Sequence, residues 1–360
     1  MSAPTSMLGL SGPGMGLTRR SAFAPSGGTG QPHPHGVHFG GGALPEFYLP
    51  FEPKVSPHLD RAREHAAAWA RRIGLAKAGV WTDAWTDEMD YGYWAATAAP
   101  SAAPEVLEWI TALGLWGFHY DDFMDDRFKR TRNLPMASAY VDRLLTFLPR
   151  DLSAMPEPAD PVEAGLADLW ATAVLPPGGR EALPGRIAEY LRGPLWETHN
   201  IVLGRVPDPV DYLEMRRQTS AGELCHAMAL AAAGGELPEA VREHRTMRAI
   251  REVFTDVPGL RNDIVSYDKE MYREGEPHNA VLVTQHFFGC GRERATGIVN
   301  DLITQRLRQF ERLVAEDVPA LVAELGLGVA DQAVLYRVLG ALRDWLAGDA
   351  LWAPQCARYR

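Results

Sequence analysis

Two runs of acidic side chains sit where an apolar helix pattern should exclude them, and that conflict constrains the fold more than any other feature. The first is Asp121-Asp122-Phe123-Met124-Asp125-Asp126. The second, about 140 residues later, is Asn262-Asp263-Ile264-Val265-Ser266-Tyr267-Asp268-Lys269-Glu270. Carboxylates are rarely buried without a partner, because each must leave water to get there. A cation is therefore expected between the two runs.

On a helix Asp121 pairs with Asp125 and Asp122 with Asp126, giving two neighbouring carboxylate pairs along the axis. At an effective dielectric near 20, two such charges about 4 Å apart repel by roughly 4 kcal/mol, against about 1 kcal/mol in water. A divalent cation offsets that repulsion. So does a solvated helix end on which Arg127, Lys129 and Arg130 neutralise the acids. The preceding segment, Trp109 to Tyr120, is apolar with small residues at Ala112, Gly114 and Gly117, and it sets Phe118 and Gly114 on roughly the face of Asp121. The acids are read as capping an apolar cavity.

In the second run Asn262, Ser266 and Glu270 are spaced by four and four, so they share one helix face. An amide oxygen, a hydroxyl and a carboxylate are hard donors that suit Mg²⁺, whereas zinc or copper would draw histidine or thiolate. The competing reading is a polar face whose Asn and Ser bond to backbone. Finding this triple together with an upstream aspartate cluster favours metal. Metal held by few protein carboxylates leaves positions for phosphate oxygens. Cations for those oxygens stand at Lys269, at Arg216-Arg217 and at Arg358-Tyr359, and an arginine fork binds phosphate by paired hydrogen bonds.

The rest of the chain reads as helix. Ala62, Ala66, Trp69 and Ile73 recur at helical spacing, and Val299, Ile303, Leu307, Phe310 and Val314 form one stripe on a helix of about 25 residues. Pro and Gly punctuate the pattern at Pro135, Pro156 to Pro161, Pro176-Pro177, Pro207 to Pro209 and Gly234-Gly235, and strand signals are weak. With no fixed repeat and no interior linker, residues 44–360 are read as one all-α domain. Residues 1–43, rich in Gly, Pro and Ser, are read as a disordered tail. Its His33, His35 and His38 offer metal ligands, but a solvated tail is the preferred reading.

Composition sets the remaining limits. A net charge of −10 with scattered Lys and Arg argues against nucleic-acid binding, and no apolar run reaches the length of a membrane span. The three cysteines, Cys225, Cys290 and Cys356, have neither disulfide nor zinc spacing, and the N-terminus lacks a secretory apolar region, so a cytoplasmic enzyme is expected. Arg19-Arg20 leaves a twin-arginine signal as the weaker alternative.

Taken together, the aspartate-rich run, Arg216 placed 46 residues before the N-D-x-x-S-x-x-K-E run and the terminal Arg358-Tyr359 pair resemble the class I terpene synthases of bacteria. The similarity spans nearly all of 44–360 and is nearest to the N-terminal, germacradienol-forming half of geosmin synthases, through stretches such as Phe47-Tyr48-Leu49-Pro50, Met215-Arg216-Arg217 and Phe287-Phe288-Gly289-Cys290. The resemblance implies a helical bundle around a central apolar cavity, three Mg²⁺ ions and a prenyl diphosphate substrate. Asp121 with Asp125 or Asp126 would hold two ions, and Asn262, Ser266 and Glu270 the third. Arg216, Lys269, Arg358 and Tyr359 would grip the diphosphate, and Asp122 would pair with the terminal arginine. Phe118, Trp196 and Trp352 are candidate cavity walls that face a carbocation, with plain core packing as the preferred reading of each.

The sequence also departs from that family. Asp-Asp-Phe-Met-Asp-Asp satisfies two spacings at once, so the second ligand is ambiguous between Asp125 and Asp126. Thr219 and Ser220 stand where many relatives carry Asp and Gly, the pair that relays diphosphate binding to the cation. The second half of geosmin synthase is not among these 360 residues, so geosmin is not the expected product. The expected activity is cyclisation of farnesyl diphosphate to a germacrane or eudesmane type sesquiterpene or its alcohol. Geranylgeranyl diphosphate is the alternative substrate, a chain-elongating prenyltransferase the alternative reaction, and a helical cation-binding scaffold the non-enzyme alternative. Family members are often homodimers, though no surface in the sequence marks an interface.

Overall fold

A computed structural model describes residues 44–359; the stretch 1–43, expected from its composition to be a tail, and Arg360 lie outside the described residues. Among the described residues every regular element is helical. Proline and capping side chains set where the helices begin. Pro104, Pro161, Pro177 and Pro209 each open a helix at a position whose N–H would be unpaired anyway. Asp160, Asp208 and Asn279 accept hydrogen bonds from first-turn N–H groups of Pro161–Ala171, Pro209–Thr219 and Ala280–Phe288.

Tyr91–Ala98 and Gly222–Ala233 contribute Trp94 and Met228 to the site, and five further helices build most of the rest. Those five are the aspartate helix Pro104–Met124, the long helix Pro177–Leu203, the sensor helix Pro209–Thr219, the chelate helix Arg245–Asp268 and the C-terminal helix Val329–Trp352. Arg292–Arg312 covers the outer side of the chelate helix, burying Val299, Ile303, Leu307 and Phe310 of the stripe seen in the sequence. Leu59–Ile73 and the C-terminal helix pack on either side of Tyr91–Ala98. That approach is close: a Cβ on Gly348 would lie 1.9 Å from the Thr97 carbonyl oxygen, and one on Gly114 would lie 2.0 Å from the Trp94 ring. Glycine at 114 therefore lets an indole cross the aspartate helix.

Two of the site helices do not end as α-helices. The aspartate helix runs into a π turn at Asp125–Lys129, closed by the Arg130 N–H on the Asp125 carbonyl at 3.0 Å, and the chelate helix into another at Lys269–Glu274. A π turn adds one residue to the loop closed by each hydrogen bond and so rotates the register of the residues beyond it. No helix among the described residues is long and apolar enough to cross a membrane, and no disulfide joins Cys225, Cys290 or Cys356.

Candidate active site

The two acidic runs meet at one cavity. Its mouth is lined by Asp121, Asp125, Glu197, Glu270, Glu274 and Glu276, with Lys129, Arg216, Lys269 and Arg358 as the interspersed cations. Phe118, Asp121, Arg216, Thr219, Asn262 and Tyr359 are shared with a second, mainly apolar chamber, whose further walls include Trp94, Gly117, Met228, Trp345 and Trp352. A charged rim thus opens onto an aromatic interior.

Within the first run the four aspartates have separate fates. Asp121 and Asp125 face the mouth. Asp122 lies behind them and accepts from both terminal nitrogens of Arg358, at 2.5 and 2.7 Å, and from Trp81 Nε1 at 2.7 Å. Burial opposes its charge, but Arg358 and Lys269 outweigh burial and hold its carboxyl well below the usual range. Asp126 points outward, with its side chain 44% exposed beside Arg127 and Arg130. Of the two residues between which the sequence is ambiguous, Asp125 lines the cavity and Asp126 does not. Oxygens of Asp121, Asp122 and Asp125 lie within 4.8 Å of one another, a donor set suited to a divalent cation.

Lys129 was grouped in the sequence with Arg127 and Arg130 as surface neutralisation, and the structure separates them. The π turn buries its ammonium, 2.5 Å from Asp125, 2.5 Å from Glu197 and 3.6 Å from Glu276. Burial works against the charge, but three carboxylates more than restore it, so its pKa is raised well above the ordinary lysine value. Glu276 also meets His278, and with Lys129 this holds its carboxyl down at about 2 despite burial.

In the second run Asn262 and Glu270 face the mouth, while Ser266 is buried on the same helix face and donates its hydroxyl to the Asn262 carbonyl at 2.7 Å. That bond leaves the Ser266 oxygen lone pairs available. Asn262 Oδ1 accepts from Arg216 at 2.9 Å, and its Nδ2 donates to the Tyr359 hydroxyl at 2.7 Å. Glu270 accepts from Asn279 at 2.8 Å. Burial and the nearby Asp263 push the Glu270 carboxyl up to about 7. Lys269 turns to Glu274 at 2.7 Å, with Asp122 at 3.8 Å.

Asp263 and Asn279 were not singled out from the sequence. Fully buried Asp263 binds Arg216 at 2.7 Å, Tyr212 at 2.6 Å and the Ala280 N–H at 3.0 Å, which locks the sensor helix to the chelate helix. Asn279 caps Ala280–Phe288 and reaches Glu270, two tasks that no local spacing announces. Burial opposes the charge of Arg216, but Asp263 raises its pKa above the ordinary value. The sensor helix then breaks. Ser220 Oγ is buried without a hydrogen-bond partner, and Ala221 takes a left-handed φ of 57° before Gly222–Ala233 begins. Such strain in a non-glycine residue gathers at functional sites. Thr219, Ser220 and Ala221 all line the apolar chamber.

Of the expected aromatic walls, Phe118 and Trp352 lie 5.2 Å apart in the chamber, with the Arg358 guanidinium 5.3 Å above the Phe118 ring. Trp196 is a packing residue and not a cavity wall: its ring meets His278 at 5.1 Å, tilted by 53°, and lines neither part of the cavity. Trp94 and Trp345, edge to face at 5.6 Å, supply the wall it was assigned.

Comparison with known proteins agrees with this architecture. A family model described as "Terpene synthase family 2, C-terminal metal binding" matches residues 112–309, which hold both acidic runs. Pristinol synthase of Streptomyces pristinaespiralis is 28% identical over 86% of this chain and 83% of its own. The 7-epi-alpha-eudesmol synthase ((2E,6E)-farnesyl diphosphate cyclizing) of Streptomyces viridochromogenes is 27% identical over 87% of this chain and 91% of its own. The crystal structure of germacradien-4-ol synthase from Streptomyces citricolor superposes with a TM-score of 0.74 at 24% identity, covering 85% of this chain and 97% of that one, and shares its fold. Carrying that metal-binding domain over more than half its length, around a charged mouth on an aromatic chamber, the chain belongs to terpene synthase family 2 and is a bacterial class I terpene synthase.

Proposed function

We propose that this enzyme is a Mg²⁺-dependent cyclase that ionises farnesyl diphosphate and closes the cation to a germacrane or eudesmane type sesquiterpene or its alcohol. One observation carries the reading: the charged mouth and the aromatic chamber share six wall residues, so a single ligand can place an anionic head in one and a hydrocarbon in the other. Support for a C15 substrate comes from relatives whose names specify (2E,6E)-farnesyl diphosphate.

Six carboxylates against four cations leave the mouth short of positive charge, which fits bound divalent ions. Asp121 and Asp125 would hold two Mg²⁺, and Asn262, Ser266 and Glu270 a third. When bound, Mg²⁺ supplies charge that stabilises the departing diphosphate. Arg216, Lys269, Arg358 and Tyr359 bind the diphosphate oxygens and keep the group at the mouth as its carbon–oxygen bond breaks. Phe118, Trp345 and Trp352 exclude water and offer π faces to the cation. Thr219 and Ser220, on the strained break beside Arg216, mark the boundary between leaving group and hydrocarbon.

Incubating the purified enzyme with C10, C15 and C20 prenyl diphosphates and Mg²⁺ tests the reading. The expected result is diphosphate release together with a cyclic C15 product. Diphosphate release without any cyclic product sinks the assignment, and a cyclic C20 product alone replaces farnesyl with geranylgeranyl diphosphate.

A further inference from the structure

One charged residue stands on the hydrocarbon side of the cavity. Asp349 follows Trp345 by four positions and precedes Trp352 by three, so the three share a face of the C-terminal helix. All three line the apolar chamber, and Asp349 is not among the groups that line the charged mouth. Its side chain is 17% exposed, while its partner Arg261 behind it is 1% exposed. Arg261 Nη1 donates to Asp349 Oδ2 at 3.0 Å and to the Leu346 carbonyl at 3.1 Å. Oδ1 takes no hydrogen bond from the described residues. A buried guanidinium keeps its carboxylate partner ionised in apolar surroundings, so the chamber contains an anion with an uncommitted oxygen. Burial also pushes the Asp349 carboxyl upward, against the pull of Arg261, which makes it a stronger base.

The geometry points to Asp349 as the base that ends the reaction, by taking a proton from the carbon next to the cationic centre. The inference rests on the cyclase reading above. In this step a C–H bond breaks and its electron pair becomes the π bond of an alkene, which neutralises the adjacent carbocation. The proton becomes the O–H of Asp349 and passes to water once the product has left. The diphosphate at the mouth is the competing acceptor, and a plain strut between the chelate and C-terminal helices is the competing role for the Arg261–Asp349 pair.

Asp349→Asn keeps the shape and an oxygen for Arg261 while removing the basicity. The variant and the unsubstituted enzyme are given farnesyl diphosphate and Mg²⁺, diphosphate release is followed, and the organic products are separated by gas chromatography with mass detection. Diphosphate should still be released, while the share of the main product falls about tenfold in favour of products that lose a different proton or capture water. Asp349→Glu should recover part of the original profile. An unchanged profile overturns the proposal in favour of diphosphate as the base. Parallel loss of diphosphate release and of Tm, with the profile kept, overturns it in favour of a strut. Absence of diphosphate release from the unsubstituted enzyme instead removes the cyclase reading. Should Asp349→Asn fail to fold, Arg261→Met combined with Asp349→Asn leaves no unpaired buried charge and carries the same product measurement.

Discussion

The aspartate helix and the chelate helix both finish in a π turn that delivers acids to the mouth, yet their acids are neutralised differently. Asp122 is bound by Arg358, and Asp125 by the buried ammonium of Lys129. Glu270 instead leans on the neutral amide of Asn279, and its carboxyl is pushed up to about 7. The first site is assembled by the chain's own cations before any ligand arrives. At the second, a carboxyl raised by burial would have to give up its proton to hold a metal.

The largest effects should come from the second site, where Arg216 holds Asn262 but Glu270 has no ion pair among the described residues. Glu270→Gln removes the one carboxylate of the chelate, and kcat is expected to fall by about 1000-fold, as when a principal source of transition-state charge is lost. Single-turnover diphosphate release measures this, and a loss below tenfold would place the third metal elsewhere. Arg358→Lys should cost about 100-fold, since an ammonium cannot reproduce the fork that Asp122 now accepts at 2.5 and 2.7 Å. If lysine supports near-full activity, Arg358 acts as a point charge.

At the first site, removal of the internal cation is the informative change. Lys129→Met leaves Asp125, Glu197 and Glu276 around an apolar end, and uncompensated buried charge typically costs about 3–5 kcal/mol. Tm in the presence of EDTA should drop accordingly, and added Mg²⁺ should recover more of it than in the unsubstituted protein. Equal Mg²⁺ responses would mean that Lys129 and metal do not compete for the same acids.

The pH response separates the two sites further. Because the Glu270 carboxyl is raised from 4.5 to about 7, it carries its proton below that pH in the metal-free fold. Metal needs the carboxylate, so Mn²⁺ affinity at this site should fall about tenfold between pH 8 and pH 6. For metal-free stability the sign is opposite: the contribution of a raised acid is fully present below 4.5 and is lost as pH rises through about 7. Titration of Mn²⁺ by electron paramagnetic resonance at the two pH values checks this, and Glu270→Gln should flatten the dependence.

Much of this arrangement was legible because it rests on local spacing. The stripe from Val299 to Phe310, the prolines that open helices and the four-residue steps of both acidic runs all arise from helical periodicity. The features that spacing hid have two physical causes. The π turns break the 3.6-residue register at Asp125 and at Lys269, so counting by four could not separate Asp125 from Asp126 or foresee that Lys129 turns inward. Glu197 and Glu276 reach Lys129 from segments distant in sequence, and Asn279 reaches Glu270 from beyond the π turn, where helical spacing no longer applies. Trp196 failed as a wall because only the packing of its helix decides which side of it meets the chamber.

The smallest effect is expected at Asp126, and it is the sharpest check on that register. In an unbroken α-helix Asp126 sits one turn beyond Asp122 and would share its buried face. The π turn that begins at Asp125 instead leaves Asp126 on the outer rim between Arg127 and Arg130, where an exposed pair contributes about 0–1 kcal/mol. Asp126→Asn should therefore change kcat/KM and Mn²⁺ affinity by less than about twofold, whereas Asp125→Asn should weaken both by about tenfold or more through loss of a mouth carboxylate. If the two substitutions prove equally damaging, the helix re-forms its α register when ligand binds, and the pre-assembled state described for the aspartate site is not the one that turns over.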